Sequence, residues 1–330
     1  MTASRESRGS AATPAAATGA ATAVAGRRVP DFFIVGHHKS GTTALYEMLR
    51  RHPQIYMPEL KEPRYLAADL RALVPSPPTH PQTLDQYLTL FEAATPQQRA
   101  GEAAPANLRA QTAAGAIAEL QPAARIVAIF REPASFVGSM HLQMLQEHVE
   151  TEPDLARAVA NEELERQGQL VRRYADHVHY TEQLRRYHDV FPPEQVLALI
   201  YDDFRSDNEA TVRRVLRFLE VDDSAPIEVL DANPTVRVRS VRLDAAVRTL
   251  YVGRGPLAGA AKRTANALLP EGLRRGALRA MRRGLVYGTP RPPDEQLVRE
   301  LKRRYRPEVV ALSEYLGRDL VSLWGYDRIA

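Results

Sequence analysis

The segment Phe32-Phe33-Ile34-Val35-Gly36-His37-His38-Lys39-Ser40-Gly41-Thr42-Thr43-Ala44-Leu45 constrains this chain most. A short apolar run ends in a loop with two glycines, one lysine and three hydroxyls. A helical pattern follows at once. Such a junction builds an anion site, because glycines let backbone N–H groups turn inward and a helix N-terminus adds partial positive charge. A Walker-type triphosphate loop reads Gly-x-x-x-x-Gly-Lys-Ser/Thr. Here Gly36 and Gly41 keep the spacing, but Thr42 stands where that lysine belongs, and Lys39 lies three residues after Gly36. The loop keeps the means to hold a phosphate-like anion. It loses the arrangement that serves a triphosphate with its magnesium ion. A bare glycine-rich turn is the alternative.

The core Lys39-Ser40-Gly41-Thr42-Thr43 resembles the 5′-phosphosulfate loop of sulfotransferases that use 3′-phosphoadenosine 5′-phosphosulfate (PAPS). A sulfuryl group carries less charge than a phosphoryl group and has less need of a metal. The resemblance implies that Lys39, Ser40, Gly41, Thr42 and Thr43 bind the donor and that Lys39 also takes part in catalysis.

Composition narrows the alternatives. The 330 residues include no cysteine, which excludes disulfides, thiolate metal sites and cysteine nucleophiles. The net charge of +4 does not argue for nucleic acid. No apolar run approaches the ~20 residues of a membrane span. Residues 1–28, mostly Ala, Thr, Ser and Gly, are expected to form a disordered tail, because they cannot bury a core. The stretch from Ala11 to Gly26 lacks the large apolar residues of a secretory signal, so a cytoplasmic location is expected.

The folded part, residues 29–330, reads as a single α/β domain. Phe32–Val35, Ile55–Met57, Arg125–Phe130 and Gln195–Tyr201 read as strands. Helices are expected over Thr43–Arg51, Leu84–Ala93, Leu108–Leu120, Asn208–Leu219 and Glu295–Leu316, with helical patterns from Pro133 to about Asp189. Strands alternating with helices predict a central parallel sheet with helices on both faces, a P-loop-like domain. Residues 253–293 are rich in Arg, Gly and Pro, with Glu271 the one acidic residue, and read as a variable basic insertion. Most such stretches are solvated faces, but this one could dock an anionic acceptor or an acidic carrier protein.

A second constellation is Arg131-Glu132-Pro133-Ala134-Ser135-Phe136-Val137-Gly138-Ser139. Arg131 follows an apolar strand, at the edge where open α/β sheets bind ligands. Its fork suits a phosphate dianion, and Ser139 lies about two helical turns on. Sulfotransferases show a similar Arg…Ser spacing, which implies that Arg131 and Ser139 hold the 3′-phosphate of PAPS. A strand-end arginine with a helix-packing serine is the plainer reading.

The third is Lys61-Glu62-Pro63-Arg64-Tyr65-Leu66. It is similar to the Lys-Glu-Pro-His-Phe-Phe segment of bacterial and heparan-sulfate-type sulfotransferases, whose glutamate is the proposed base. That role falls on Glu62, while Arg64 replaces the histidine. Beside Lys61 and Arg64 a carboxylate ionises readily; a solvated charge cluster is the alternative. Gly101-Glu102-Ala103-Ala104-Pro105 is similar to another family segment. Within the same resemblance, Tyr180 is a candidate nucleotide-pocket residue, or else a core tyrosine. Arg239, in the segment Asn233–Ser240, is a candidate 3′-phosphate contact. His37, His38 and His141 stand near these motifs, and no His/Asp/Glu spacing suggests a metal site.

The resulting expectation is PAPS-dependent transfer of a sulfuryl group to a hydroxyl, with an amine as second choice, of a small molecule, lipid or glycan. No metal, nucleic acid or membrane span is expected. A P-loop kinase or a non-catalytic nucleotide-binding protein is the alternative.

Overall fold

The computed structural model describes residues 26–73, 77–147, 149–164, 174–229, 237–238, 287–288 and 294–329. Strand β1 (Phe32–Gly36) leads into helix α1 (Thr42–Arg50). Then come β2 (Ile55–Tyr56), α2 (Ala68–Leu73), α3 (Leu84–Thr89), β3 (Arg99–Ala103), α4 (Ala106–Arg109) and α5 (Ala113–Leu120). Strand β4 (Arg125–Phe130) is followed by α6 (Pro133–Gln146), α7 (Leu155–Leu164) and α8 (Tyr180–His188). Strand β5 (Val196–Ile200) precedes α9 (Tyr201–Ser206) and α10 (Asn208–Phe218). A two-stranded ribbon, β6 (Arg237–Val238) and β7 (Tyr287–Gly288), is antiparallel, and α11 (Glu295–Leu316) and α12 (Leu320–Leu323) close the described chain.

The main sheet runs β2-β3-β1-β4-β5, and every pairing is parallel. The apolar runs explain this. Along β1, Phe33 and Val35 enter one core while Phe32 and Ile34 enter the other. In β4, Ile126, Ala128 and Phe130 face the first, and Val127 and Ile129 the second. A strand covered by helices on both faces needs apolar residues at every position. The α/β domain with helices on both faces is therefore as expected.

Sheet order fixes where a ligand can bind. The crossover from β1 leads toward β2 on one side, and that from β4 leads to β5 on the other. Their carboxyl ends flank the crevice where such sheets take ligands. Helix α6 starts there because the Glu132 carboxylate accepts from the Ala134 and Ser135 amides at 2.9 and 2.6 Å, and Pro133 fits the first turn.

Some boundaries differ from the sequence reading. Leu108–Leu120 is two helices, because Ala110 is extended and Asp69 ties down the Gln111 amide and the Thr112 hydroxyl, both at 2.9 Å. The Gly101-Glu102 element is a full strand, β3, wedged between β1 and β2. Arg27 and Arg28, assigned to the tail, belong to the folded body. Arg27 pairs with Asp85 and with Glu92 (2.6 Å), and Arg28 pairs with Asp31 at 2.5 Å. Residues 1–25, and the 253–293 insertion apart from β7, lie outside the described residues. No helix among the described residues is long and apolar enough to cross a membrane.

Candidate active site

The loop after β1 turns sharply into α1. Gly41 sits at the helix N-cap with φ 82°, a left-handed conformation that glycine adopts without strain. A Cβ there would also stand 2.9 Å from the Phe204 ring. The first turn of α1 leaves backbone N–H groups without intrahelical acceptors. Thr42, Thr43 and Ala44 of that turn line a cleft of about 180 Å³.

The same cleft is lined by Lys39, Glu62, Arg131 and Ser139. Three motifs far apart in sequence thus converge on one site. Burial, then the nearby charge of Arg131, lowers the pKa of Lys39. Two cations drawn together in a partly desolvated cleft repel each other until an anion arrives. Arg131 is positioned from three sides. Its Nη1 donates to the Lys39 carbonyl at 2.9 Å, its Nε and Nη2 donate to Ser135 Oγ at 2.9 and 2.6 Å, and its guanidinium lies 4.9 Å from the Tyr201 ring centre. Ser139 is 5% exposed, and its hydroxyl has no hydrogen-bond partner. A buried hydroxyl without a partner carries an uncompensated cost, which an anionic oxygen would relieve.

Glu62 reaches the cleft from the other side. Its amide donates to the Ala103 carbonyl at 3.0 Å, which fastens the segment to the end of β3. Its Oε1 accepts from Lys61 Nζ at 2.6 Å. Burial pushes the Glu62 carboxyl up, but Lys61, His38 and Arg64 together bring its pKa below 4.5. His38 is itself lowered to about 4, chiefly by burial, so at neutral pH it is uncharged and the two cations do the work.

Two sequence-predicted residues, Ser40 and Tyr180, are placed differently. Ser40 is fully buried, and its hydroxyl donates to the His38 carbonyl at 3.3 Å, so this side chain shapes the loop instead of lining the cleft. Tyr180 is 0% exposed in the core against Phe130 and His37, so its ring offers no surface to a nucleotide. His141 is two positions past Ser139, which turns it about 200° around the helix. It is buried against Tyr174, its Nδ1 2.8 Å from the tyrosine hydroxyl. Arg239 lies outside the described residues, although neighbouring β6 packs on α6, the helix of Ser139.

His37 is buried, with Nε2 3.0 Å from the His177 carbonyl, and burial lowers its pKa to about 3. It braces the loop as a neutral side chain. The cleft also contains Gln143 and Tyr201, which the sequence reading missed. Both had signals. Gln143 is one turn beyond Ser139 on the same helix face. Tyr201 follows the carboxyl end of β5, the edge rule that located Arg131. Among the described residues no His/Asp/Glu group could hold a metal ion.

Fold and cleft define a P-loop-like α/β protein with its cleft at the loop after β1. Residues 30–225 match the sulfotransferase family, and the chain belongs to that family. Carbohydrate sulfotransferase 15 of Homo sapiens and that of Rattus norvegicus are each 34% identical to it over 85 residues. Those matches span 23% of this chain and only 14% of the length of these relatives. The crystal structure of a sulfotransferase from Alicyclobacillus acidocaldarius superposes with a TM-score of 0.63 at 22% identity, covering 90% of this chain and 99% of that one, and shares the fold.

Proposed function

We propose that this chain transfers a sulfuryl group from PAPS to an acceptor hydroxyl. The observation that carries this reading is the convergence in one cleft of Lys39, the α1 N-terminus, Glu62, Arg131 and the unpartnered Ser139 hydroxyl. PAPS, when bound, supplies a sulfuryl group already activated on a phosphate. The chain's residues bind and orient it. Thr42 and Thr43, with the amides of the first turn of α1, hold the 5′ end. Arg131 and Ser139 hold the 3′-phosphate and fix its register. Ser40 acts through the shape of the loop.

Glu62 is the base. It is ionised at neutral pH, and Pro63 beside it and the hydrogen bond its backbone N–H donates to the Ala103 carbonyl limit its movement. It accepts the proton of the acceptor hydroxyl. Lys39 stabilises the charge that grows on the departing phosphate oxygen. The loop lacks the lysine after Gly41 that a kinase of this fold uses on a triphosphate, and family membership favours sulfuryl over phosphoryl transfer. Lys39→Ala should lower kcat by about a hundredfold or more. Unchanged turnover with labelled PAPS and a working acceptor would remove Lys39 from the mechanism.

A further inference from the structure

His38 precedes Lys39 in the loop and lines the same cleft, together with Glu62 and Arg131. Its ring and the Glu62 carboxylate each shift the pKa of the other. The backbone around it is held on both sides. The His37 amide donates to the Ile129 carbonyl at 2.7 Å, and Ser40 Oγ donates to the His38 carbonyl at 3.3 Å. Arg131 holds the next carbonyl, that of Lys39. The half-buried ring is seated edge-on against two others, with centres 6.2 Å from His37 and 5.7 Å from His177. Neither of its nitrogens has a hydrogen-bond partner among the described residues.

The surroundings keep this imidazole uncharged. Burial lowers its pKa to about 4; Glu62 pulls it up, and Arg109, Lys61 and Arg64 push it down again. Burial also keeps His37 and His177, the rings it touches, neutral. A neutral imidazole carries one N–H and one bare nitrogen. It can give a hydrogen bond to an anionic oxygen without forming an ion pair with Glu62, which would take the base out of use.

We propose that His38 is a further catalytic residue, whose ring N–H donates to an oxygen of the sulfuryl group in transit. The inference rests on the sulfuryl-transfer reading. In the step, the acceptor oxygen forms a bond to sulfur, and its proton passes to the Glu62 carboxylate. The bond from sulfur to the bridging oxygen breaks, and its electron pair leaves with 3′-phosphoadenosine 5′-phosphate (PAP), beside Lys39. The remaining sulfuryl oxygens flatten and invert as this happens. A donor on a seated ring holds their plane across the line of transfer and needs no rearrangement at that moment. His38 itself neither gains nor loses a proton.

The test compares PAP, which lacks the sulfuryl group, with PAPS, by calorimetry on the full chain. His38→Leu keeps an apolar side chain and removes both nitrogens. His38→Asn and His38→Gln put an amide N–H back at the reach of Nδ1 and Nε2, without a titrating ring. PAP affinity should stay within about twofold of the parent in all three variants. PAPS affinity should fall about tenfold or more in His38→Leu and recover most of that loss in His38→Asn or His38→Gln. Three results would overturn the role of His38 alone: an unchanged PAPS affinity in His38→Leu, an equal loss of PAP and PAPS affinity in a variant with the parent's Tm, or a loss that neither amide repairs. A parent chain that binds neither nucleotide would overturn the sulfuryl-transfer reading and this inference with it.

Discussion

Lys39 and Glu62 both hold left-handed backbone, with φ 57° and 61°. For a non-glycine residue this costs on the order of 1–2 kcal/mol, and it persists only where the surroundings hold it. Arg131 grips the carbonyl of Lys39, and Ala103 grips the amide of Glu62. The depressed pKa of Glu62 has a kinetic consequence. The acidic limb of kcat/KM should fall below pH 4.5, so activity stays level from neutrality down into the ordinary carboxylate range. An acidic limb near pH 6–7 in the measured profile would contradict Glu62 as the base. Glu102 behaves oppositely. Burial against the weaker influence of its Tyr87 and Asn107 hydrogen bonds raises its pKa to about 7 from 4.5. Between those values the folded chain holds a proton that the unfolded chain has released, so stability falls as pH rises from 4.5 to 7. Glu102→Gln should flatten that part of the curve of Tm against pH, and an unchanged slope would rule out Glu102 as its source.

At the scale of elements, the site depends on how closely β3 can lie against β1. Gly101 passes under the Phe32 ring, and a Cβ there would sit 2.2 Å from Phe32 Cζ and 2.6 Å from Met57 Sδ. Both neighbours are buried, so neither can swing away freely. Gly101→Ala is expected to cost about 1–3 kcal/mol, the usual range for overpacking. Thermal denaturation should show a Tm lower by several degrees, and an unchanged Tm would mean that the sheet yields. The edge of β3 also explains the Glu62 segment, which hangs from Ala103 one residue beyond Glu102. Strands of this kind were legible because their apolar runs are continuous. The short β3 was read only as an element, since Arg99–Ala103 holds a glycine and a glutamate and no β-branched residue. The break after Arg109 was not legible either, because it depends on Asp69, some 40 residues earlier.

For the whole molecule, the cleft exists only because the sheet order brings separate stretches to one edge. Lys39, Glu62, Arg131 and Ser139, which the sequence motifs singled out, all line the cleft: Lys39 and Arg131 follow the carboxyl ends of β1 and β4, Ser139 lies on α6, and Glu62 lies on the loop between β2 and α2. Side-chain direction was not legible. Ser40 turns into the loop, and Tyr180 turns into the core, where van der Waals packing decides. Nor was the contribution of the chain's last described part. Trp324 Nε1 donates to Asp202 at 2.9 Å, and the Tyr326 hydroxyl donates to Glu132, the cap of α6, at 2.5 Å. Residues beyond the family match at 30–225 thus steady the helix that carries Ser139. The central claim is that this assembled edge holds a second phosphate at the 3′ position. Calorimetric titration of the full chain with PAP and with AMP tests it most directly. PAP should bind at least tenfold more tightly than AMP, and Ser139→Ala should narrow that gap; equal affinities for the two nucleotides would contradict the account.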